Sequence, residues 1–258
     1  MRRSALLLVL AVAACGGQER VIVAAGTTLE DSGILSGLVA EYEASLAGEI
    51  SVIGESTQRV LDLGRRRAAA VLITHAPEAE EAFVAEGLAE SRQPFAASRF
   101  ILVGPPDRVA VLSGMTPEEA FARIAAEQWT FVTRGDGSGT AAAEEGIWDA
   151  AGIEPAGAWY ESTGLGMGAT LQVAEQRGAL TLAEEGTFLG AEPMLTLVGA
   201  SLAPSNLVEN PYHVILVTGA GDAARRFVEW LISDEGREAL RRANQAVFGK
   251  QVFTAPEG

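Results

Sequence analysis

The chain has 258 residues, with 34 Asp or Glu against 19 Lys or Arg and a formal net charge of −15 at pH 7. This acidic balance argues against a nucleic-acid partner, because proteins bind a phosphate backbone mainly by displacing its counterions with basic side chains. A small anion is not excluded, since a few N–H donors and one nearby cation outweigh a distant, screened net charge.

The N-terminus has the pattern of an export signal. Two arginines, a short apolar run over 5–12 and small residues precede Cys15, the only cysteine in the chain, so no internal disulfide is expected. The apolar run is too short to span a bilayer, and the small residues before Cys15 resemble a bacterial lipoprotein cleavage site. We expect a signal peptide over 1–14, a lipid on Cys15 and a membrane tether over 15–20. An ordinary signal peptide that happens to contain a cysteine is the alternative.

Beyond the N-terminus, short apolar runs alternate with amphipathic stretches, which indicates an α/β protein. The predicted strands lie at 21–26, 49–55, 70–77, 100–106, 129–135 and 212–219. The predicted helices lie at 31–47, 58–67, 78–87, 116–128, 138–152, 166–178 and, as a long helical tail, 221–245. Thr116, Pro117 and Glu119 form a typical helix-start signature.

No internal repeat or low-complexity linker divides the chain. If the protein has two lobes, the chain therefore crosses between them in strands, and the best candidates are FILVGPP (100–106) and YHVILV (212–217). This organisation predicts a discontinuous first lobe, made of 21–99 and 212–258, and a second lobe over 100–211.

Several predicted strand-to-helix junctions carry glycine or hydroxyl residues. Thr27 and Thr28 follow the first strand, Ser56 follows the second, and the segments 137–140 and 164–168 precede two later helices. Ligands of open α/β sheets bind at the carboxyl ends of the strands, where each helix start offers unpaired N–H groups and the positive end of its dipole. Taken together, the junctions predict an anion site. Taken singly, each could be no more than a helix cap.

Arg134 supplies a full positive charge beside one of these junctions. Its planar guanidinium suits an oxyanion, and hydrogen bonds to a charged partner are the stronger kind. Asp136 is expected to accept from Arg134 or from helix N–H groups and so to fix the loop. A surface salt bridge between these two residues is the alternative.

Other motifs point to different functions. GLGMGA (164–169) matches a dinucleotide fingerprint, but no suitable βαβ unit surrounds it. A serine hydrolase would need Ser138 with His75 or His213, the only histidines, and the spacing of a nucleophile elbow is missing. We expect no cofactor and no metal held by His or Cys ligands.

Several segments resemble one family over nearly the whole mature chain. They are TRGDGSGT (133–140), TGLGMGATLQVAEQRGALTLAEEGTFL (163–189), NPYHVILV (210–217), LGRRRAAAVLITHAPEAEEAFVAEG (63–87) and DSG (31–33). Together they are similar to the tungstate-binding proteins of bacterial ABC importers. The resemblance implies a type II periplasmic binding fold, in which two α/β lobes joined by crossing strands close over one tetrahedral oxyanion. Carried over by position, the ligand-binding residues are Thr27, Thr28, Ser56, Arg134, Ser138, Gly139, Thr140, Met167 and Gly168.

The sequence departs from the family pattern at two junctions. Ala25 and Gly26 replace two hydroxyl residues after the first strand, and Glu55 places a negative charge beside Ser56. The resemblance implies a monomeric, extracytoplasmic, lipid-anchored receptor that passes tungstate to an ABC permease and is not an enzyme. Molybdate or another tetrahedral oxyanion is the alternative within this class. A serine hydrolase-like protein or a lipoprotein without a ligand is the alternative outside it.

Overall fold

The computed structural model describes residues 20–46 and 48–256. Its strands are β1 (Arg20–Gly26), β2 (Glu49–Glu55), β3 (Val71–Thr74), β4 (Ala89–Gly104), β5 (Phe131–Thr133), β6 (Tyr160–Ser162), β7 (Thr181–Glu184), β8 (Val198–Ala200) and β9 (Glu209–Val217). Its α-helices are α1 (Thr27–Asp31), α2 (Ile34–Leu46), α3 (Thr57–Arg65), α4 (Pro77–Ala85), α5 (Pro106–Leu112), α6 (Pro117–Glu127), α7 (Gly139–Ala150), α8 (Met167–Arg177), α9 (Glu185–Ala191), α10 (Asp222–Ile232) and α11 (Asp234–Phe248). Short 3₁₀ turns lie at Glu192–Met194 and Asn206–Val208.

The described strands form a seven-stranded mixed sheet and a separate pair. The sheet order is β2-β1-β3-β9-β4-β7, with β8 also bonded to β4. β1 pairs in parallel with β2 and β3, whereas β9 is antiparallel to both β3 and β4. The pair consists of β5 and β6, which run parallel. The prediction of an α/β fold is confirmed.

β4 is much longer than the sequence suggested. Residues 89–99 pair with β9, and residues 100–104 pair with β7 and β8. The sequence pattern predicts only the apolar second part, because Gln93 and Pro94 interrupt the apolar pattern of the first. The structure accommodates Pro94 with a register shift between Pro94 and Ala96, the kind of irregularity at which proline is tolerated in a strand.

Buried side chains form separate cores on the two parts of the large sheet. The first, with Tyr42, Phe227 and Trp230, lies between β1, β3, β9 and the helices α2, α10 and α11. Another contains Phe121 and Trp148, whose ring centroids are 4.5 Å apart. We call β1–β3, α1–α4, α10 and α11 the first lobe, and α5–α9 with β5–β8 the second lobe. The boundaries at 99/100 and 211/212 remain a prediction.

Two predicted helices are interrupted in the structure. The helix expected over 31–47 is interrupted at Ser32 and Gly33, so that it becomes α2, beginning at Ile34, while Asp31 ends the short helix α1, which the sequence did not predict. Gly33 has φ of +77°, which a residue with a side chain rarely adopts, and the Ser32 hydroxyl donates to the Leu29 carbonyl at 2.7 Å. The predicted C-terminal helix breaks in the same way at Ser233, which caps α11 by accepting from the Gly236 N–H.

The predicted signal peptide 1–14, Cys15 and most of the tether 15–20 lie outside the described residues. Arg20, at the end of the predicted tether, is already the first residue of β1. Across the part of the chain that the structure describes, no helix is both long and apolar enough to span a membrane.

Candidate functional site

The first-lobe part of the site lies at the carboxyl ends of β1 and β2. Gly26 is aligned with Glu55 across this parallel pair, so Thr27 and Ser56 follow at neighbouring positions on the same edge. Thr27 opens α1, and Ser56 is the N-cap of α3, yet neither helix start has a side-chain cap hydrogen bond. Within the described residues, the hydroxyls of Thr27 and Ser56 have no hydrogen-bond partner, so both can donate to a ligand.

Glu55 turns toward the flank of α3. Its Oε2 lies 3.5 Å from Arg59 Nη1, and with Arg59, Asp62 and Arg66 it lines a surface groove. The negative charge beside Ser56 is therefore partly compensated by an exposed arginine. Exposed pairs of this kind contribute little to stability, because solvent screens them.

The second-lobe part of the site begins at α7. Ser138 is 5% exposed, and its hydroxyl accepts from the Ala141 N–H at 3.3 Å, so it caps the helix. The Ser138 N–H donates to Asp136 Oδ1 at 3.1 Å, which orders the turn before the helix. Of the first N–H groups of α7, those of Gly139 and Thr140 have no intrahelical acceptor and remain for a ligand.

Arg134 lies directly behind this helix start and is 3% exposed. Its Nη2 donates to Asp136 Oδ2 at 2.6 Å, and its Nη1 donates to the Thr140 hydroxyl at 3.4 Å. Its Nε is buried and has no acceptor among the described residues. Burial by itself raises the pKa of Asp136, but hydrogen bonds from Ser138 and the Arg134 charge hold that pKa below its usual value. The carboxylate therefore stays ionised and fixes the guanidinium, as predicted.

The loop before α8 is attached to the Arg134 backbone. Thr163 N–H donates to the Thr133 carbonyl at 3.0 Å, and Gly164 N–H donates to the Arg134 carbonyl at 2.8 Å. Gly166 is the N-cap of α8, and it provides no side-chain cap. Met167 is fully buried, while Gly168 is only partly covered. The attachment therefore fixes where the start of α8, with its unpaired backbone N–H groups, lies relative to Arg134.

His75 brings the two lobes together beneath these groups. It follows β3 and is 6% exposed, and its Nε2 lies 3.3 Å from the Thr28 hydroxyl. A Cβ added to Gly139 would lie 2.8 Å from both His75 Cε1 and the His75 carbonyl oxygen. The start of α7 can therefore touch the first lobe only because residue 139 is a glycine. A second contact joins α9 to α1, where the Thr187 hydroxyl donates to the Thr28 carbonyl at 3.2 Å.

Electrostatic effects agree with this proximity. Burial is the main cause that lowers the pKa of His75, and the nearby Arg134 charge lowers it further. A hydrogen bond to Asn210 and the charge of the more distant Glu80 oppose this shift. Burial raises the pKa of Asp31, in the first lobe, although the Arg134 charge opposes it. Arg134 thus acts on groups of both lobes, and His75 is neutral near pH 7.

The residues that a hydrolase would need are engaged elsewhere. Neither histidine ring hydrogen bonds to Ser138 in the parts of the chain that the structure describes. His213 lies 2.9 Å from the buried carboxylate of Glu80, which Arg92 also contacts. The structure also places no group of three or more His, Cys, Asp or Glu for metal binding within 20–46 and 48–256. What it offers instead is N–H groups, hydroxyls and a buried cation, which suit an anion.

Some groups around the site were not recognised from the sequence. Asn210 and Tyr212, both fully buried on β9, lie beside His75 and Thr28. A polar residue in an apolar strand was the only local signal for Asn210. His75 packs at the end of β3, where its ring is stacked on Tyr212 with the ring centroids 4.9 Å apart.

Comparisons with known proteins agree with this geometry. A model of the PBP superfamily domain matches residues 13–235. A Haloferax volcanii protein, named as a candidate anion-binding protein of an ABC transporter, is 35% identical over 249 residues, covering 92% of this chain and 72% of its own. The tungstate-binding protein TupA of Peptoclostridium acidaminophilum is 33% identical over 243 residues, covering 91% of this chain and 85% of its own.

A solved structure gives the same result for the fold. The crystal structure titled as the tungstate ABC transporter of Geobacter sulfurreducens superposes with a TM-score of 0.79 at 31% identity, covering 86% of this chain and 97% of that one. The two-lobed type II periplasmic binding fold expected from the sequence is thereby confirmed. The chain belongs to the PBP superfamily and, within it, to the family of the tungstate-binding protein TupA.

Proposed function

We propose that this chain is the extracytoplasmic receptor of an ABC importer, and that it binds tungstate and delivers it to the permease. The names of its relatives support the ligand and the transporter class. The site supports binding without chemistry, because it offers donors and a cation but no histidine bonded to the one nucleophile considered, Ser138. In this proposal the chain is a monomeric receptor and not an enzyme.

The observation that carries the proposal is the buried Nε–H of Arg134, which has no acceptor in the described structure. A buried charged donor without a partner is costly, and a doubly charged tetrahedral oxyanion would supply the missing acceptor. The Asp136 carboxylate already holds Nη2, so the guanidinium is fixed before the ligand arrives. A site organised in this way gains affinity, because few groups have to be ordered on binding.

The remaining donors belong to both lobes. They are neutral, so the ligand charge is met by Arg134 and by helix N–H groups rather than by a ring of cations. The proposed binding residues are Thr27 and Ser56 of the first lobe, and Arg134, Ser138, Gly139, Thr140, Met167 and Gly168 of the second. The hydroxyl of Thr28, the further residue that the family resemblance implies, already contacts His75 and Tyr212. Closure of the lobes around the ligand would bring these sets together, as in other two-lobed binding proteins.

The proposal is tested by calorimetric titration of the purified protein with tungstate, molybdate, sulfate and phosphate. We expect one-to-one binding of tungstate, with molybdate of similar affinity because the two anions are nearly the same size. Sulfate should bind more weakly, because it is smaller. Tighter molybdate binding would change the ligand but not the class. A folded sample that gives no heat with any of the four anions would rule out the receptor.

Anchoring through Cys15 is a separate part of the proposal. The sequence before Cys15 supports it, and a single cysteine leaves one site to test. In a bacterial host, the full chain should fractionate with membranes, and Cys15→Ser should release it or block its processing. A Cys15→Ser protein with unchanged processing and membrane association would contradict the lipid anchor while leaving oxyanion binding in place.

A further inference from the structure

Four buried side chains form a closed ring of hydrogen bonds beneath the site. Asn210 Nδ2 donates to the Tyr212 hydroxyl at 3.2 Å, and that hydroxyl lies 3.4 Å from Thr28 Oγ1. Thr28 Oγ1 lies 3.3 Å from His75 Nε2, and His75 Nδ1 lies 2.7 Å from Asn210 Oδ1. Thr28 is 1% exposed, His75 6%, and both Asn210 and Tyr212 are fully buried. Every polar atom of the ring must therefore find its partner inside the protein.

The donors and acceptors around Asn210 set the direction of the ring. Its Nδ2 donates to the Ser98 hydroxyl at 3.1 Å as well as to Tyr212, so both of its N–H groups are used. Its Oδ1 therefore faces His75 and accepts from the Nδ1–H. Burial keeps His75 neutral by lowering its pKa, so a ring that is protonated on Nδ1 has a lone pair on Nε2.

The proton of the Thr28 hydroxyl follows from this tautomer. Because Nε2 can only accept, Thr28 must donate to it, and the Tyr212 hydroxyl in turn donates to Thr28. All four bonds then run in one direction, which satisfies each hydroxyl with one bond given and one received. Thr28 has no second proton. By contrast, the hydroxyls of Thr27 and Ser56 have no partner among the residues described.

Resting on the proposed function, we infer that His75 is a positioning residue that turns the Thr28 hydroxyl away from the oxyanion. Thr28 then serves the first lobe as a fixed part of the ring, and the hydroxyl hydrogen bonds to the anion come from Thr27 and Ser56. The inference removes one hydroxyl from the set that family resemblance predicts. It also gives the pair of neighbouring threonines different roles.

The test compares the two threonines by calorimetry with tungstate. Thr27→Val should weaken binding roughly tenfold or more, the effect of losing a hydrogen bond to a charged partner. Thr28→Val should lower the melting temperature but weaken binding by less than about threefold, and Thr28→Ser, which keeps the ring, should restore the melting temperature. A loss of affinity in Thr28→Val equal to that in Thr27→Val would overturn the inference.

The tautomer of His75 is measured independently of any ligand. The chain has two histidines, so ¹⁵N-labelled imidazoles give two sets of NMR signals, and the set lost in His75→Asn belongs to His75. We expect a protonated Nδ1 and an unprotonated Nε2 near pH 7.5. Protonation on Nε2 would mean that the ring runs in the opposite direction and leaves the Thr28 proton free, which would overturn the inference even if Thr28→Val does not fold.

A double-mutant cycle tests whether His75 is responsible. His75→Asn keeps a donor toward Asn210 but removes the acceptor for Thr28, so the Thr28 hydroxyl should become free to reach the anion. Adding Thr28→Val should then weaken binding several-fold in the His75→Asn background but not in the wild type. Equal effects in the two backgrounds would contradict the positioning role. If the wild type itself binds no oxyanion, the proposed function fails, whereas the NMR result still fixes the direction of the ring.

Discussion

On the first lobe, α1 and α3 begin without side-chain caps, and the hydroxyls of Thr27 and Ser56 have no partner in the described structure. On the second lobe, Ser138 caps α7, and Arg134 is fixed by Asp136 and Thr140. One side therefore offers neutral donors that can adjust to a ligand, and the other offers a cation that is already in place. In the proposed receptor, the second lobe would therefore determine the charge of the ligand, and the first lobe would complete its hydrogen bonds.

The largest change is expected at Arg134. Arg134→Ala removes the only buried cation that the structure shows at the site, and it leaves a dianion next to Asp136 with no compensating charge. We expect tungstate affinity to fall roughly 1,000-fold, or about 4 kcal/mol. Calorimetry measures the loss, and circular dichroism checks that the fold is kept. Arg123→Ala, at an exposed arginine of α6 paired with Glu127, is the matched control. Near-normal binding by Arg134→Ala would remove the contrast between the lobes.

A buried carboxyl of the second lobe gives the next prediction. Burial raises the pKa of Glu144 to about 7 from 4.5, even though hydrogen bonds from Tyr160 and Trp148 oppose the shift. Because the folded protein holds this proton more tightly than the unfolded chain, the stabilisation is complete below pH 4.5 and is lost as the pH rises to about 7. The loss is roughly 3 kcal/mol.

Glu144→Gln should remove that pH dependence, because the amide keeps the acceptor oxygen and cannot ionise. Urea unfolding should give similar stabilities for the two proteins at pH 4.5 and a more stable variant at pH 8, with Glu192→Gln, an exposed carboxyl of the same lobe, as control. Equal stability of Glu144→Gln and the wild type at pH 8 would show that burial does not raise the pKa of Glu144. The buried carboxyl of the first lobe, Glu80, differs from Glu144 because it is paired with Arg92 and His213.

The contact between the lobes is tested at Gly139. A Cβ at this position would meet His75 at 2.8 Å, so Gly139→Ala should hold the lobes apart and weaken tungstate binding about tenfold. Gly146 lies on the same helix with nothing within 4 Å of its Cβ position, and Gly146→Ala should leave binding unchanged and stabilise the protein slightly. If the two variants bind tungstate equally well, the contact with His75 does not matter for binding.

The smallest effect is expected at Glu55. Glu55→Gln removes a negative charge beside Ser56, but Arg59 and solvent already weaken its influence. We expect tungstate affinity to rise about twofold at low salt, with the gain disappearing at high salt as screening increases. The measurement is calorimetry at two salt concentrations. A large loss of affinity would mean that Glu55 has a structural role at the start of α3.

The sequence was sufficient to predict most strands, the helix starts at the site and the role of Asp136, because these depend on neighbouring residues. It did not predict the first part of β4, since pairing with β9 holds Pro94 in a strand against its local preference. It also did not predict the ring through Thr28, His75 and Asn210, because side chains 47 and 135 residues apart come together only in the folded sheet. Local patterns identify junctions, but they do not give the direction of a hydroxyl proton.

The position of β9 in the sheet affects when the chain can fold during its synthesis. Residues 71–74 of β3 pair with 213–216 of β9, and the core beside them needs Phe227 and Trp230 from α10. The N-terminal part of the chain therefore cannot complete its own core while it is still emerging from the ribosome. A polypeptide that stays open until its last fifth has been made would remain suitable for threading through a secretion channel, as the proposed extracytoplasmic receptor requires.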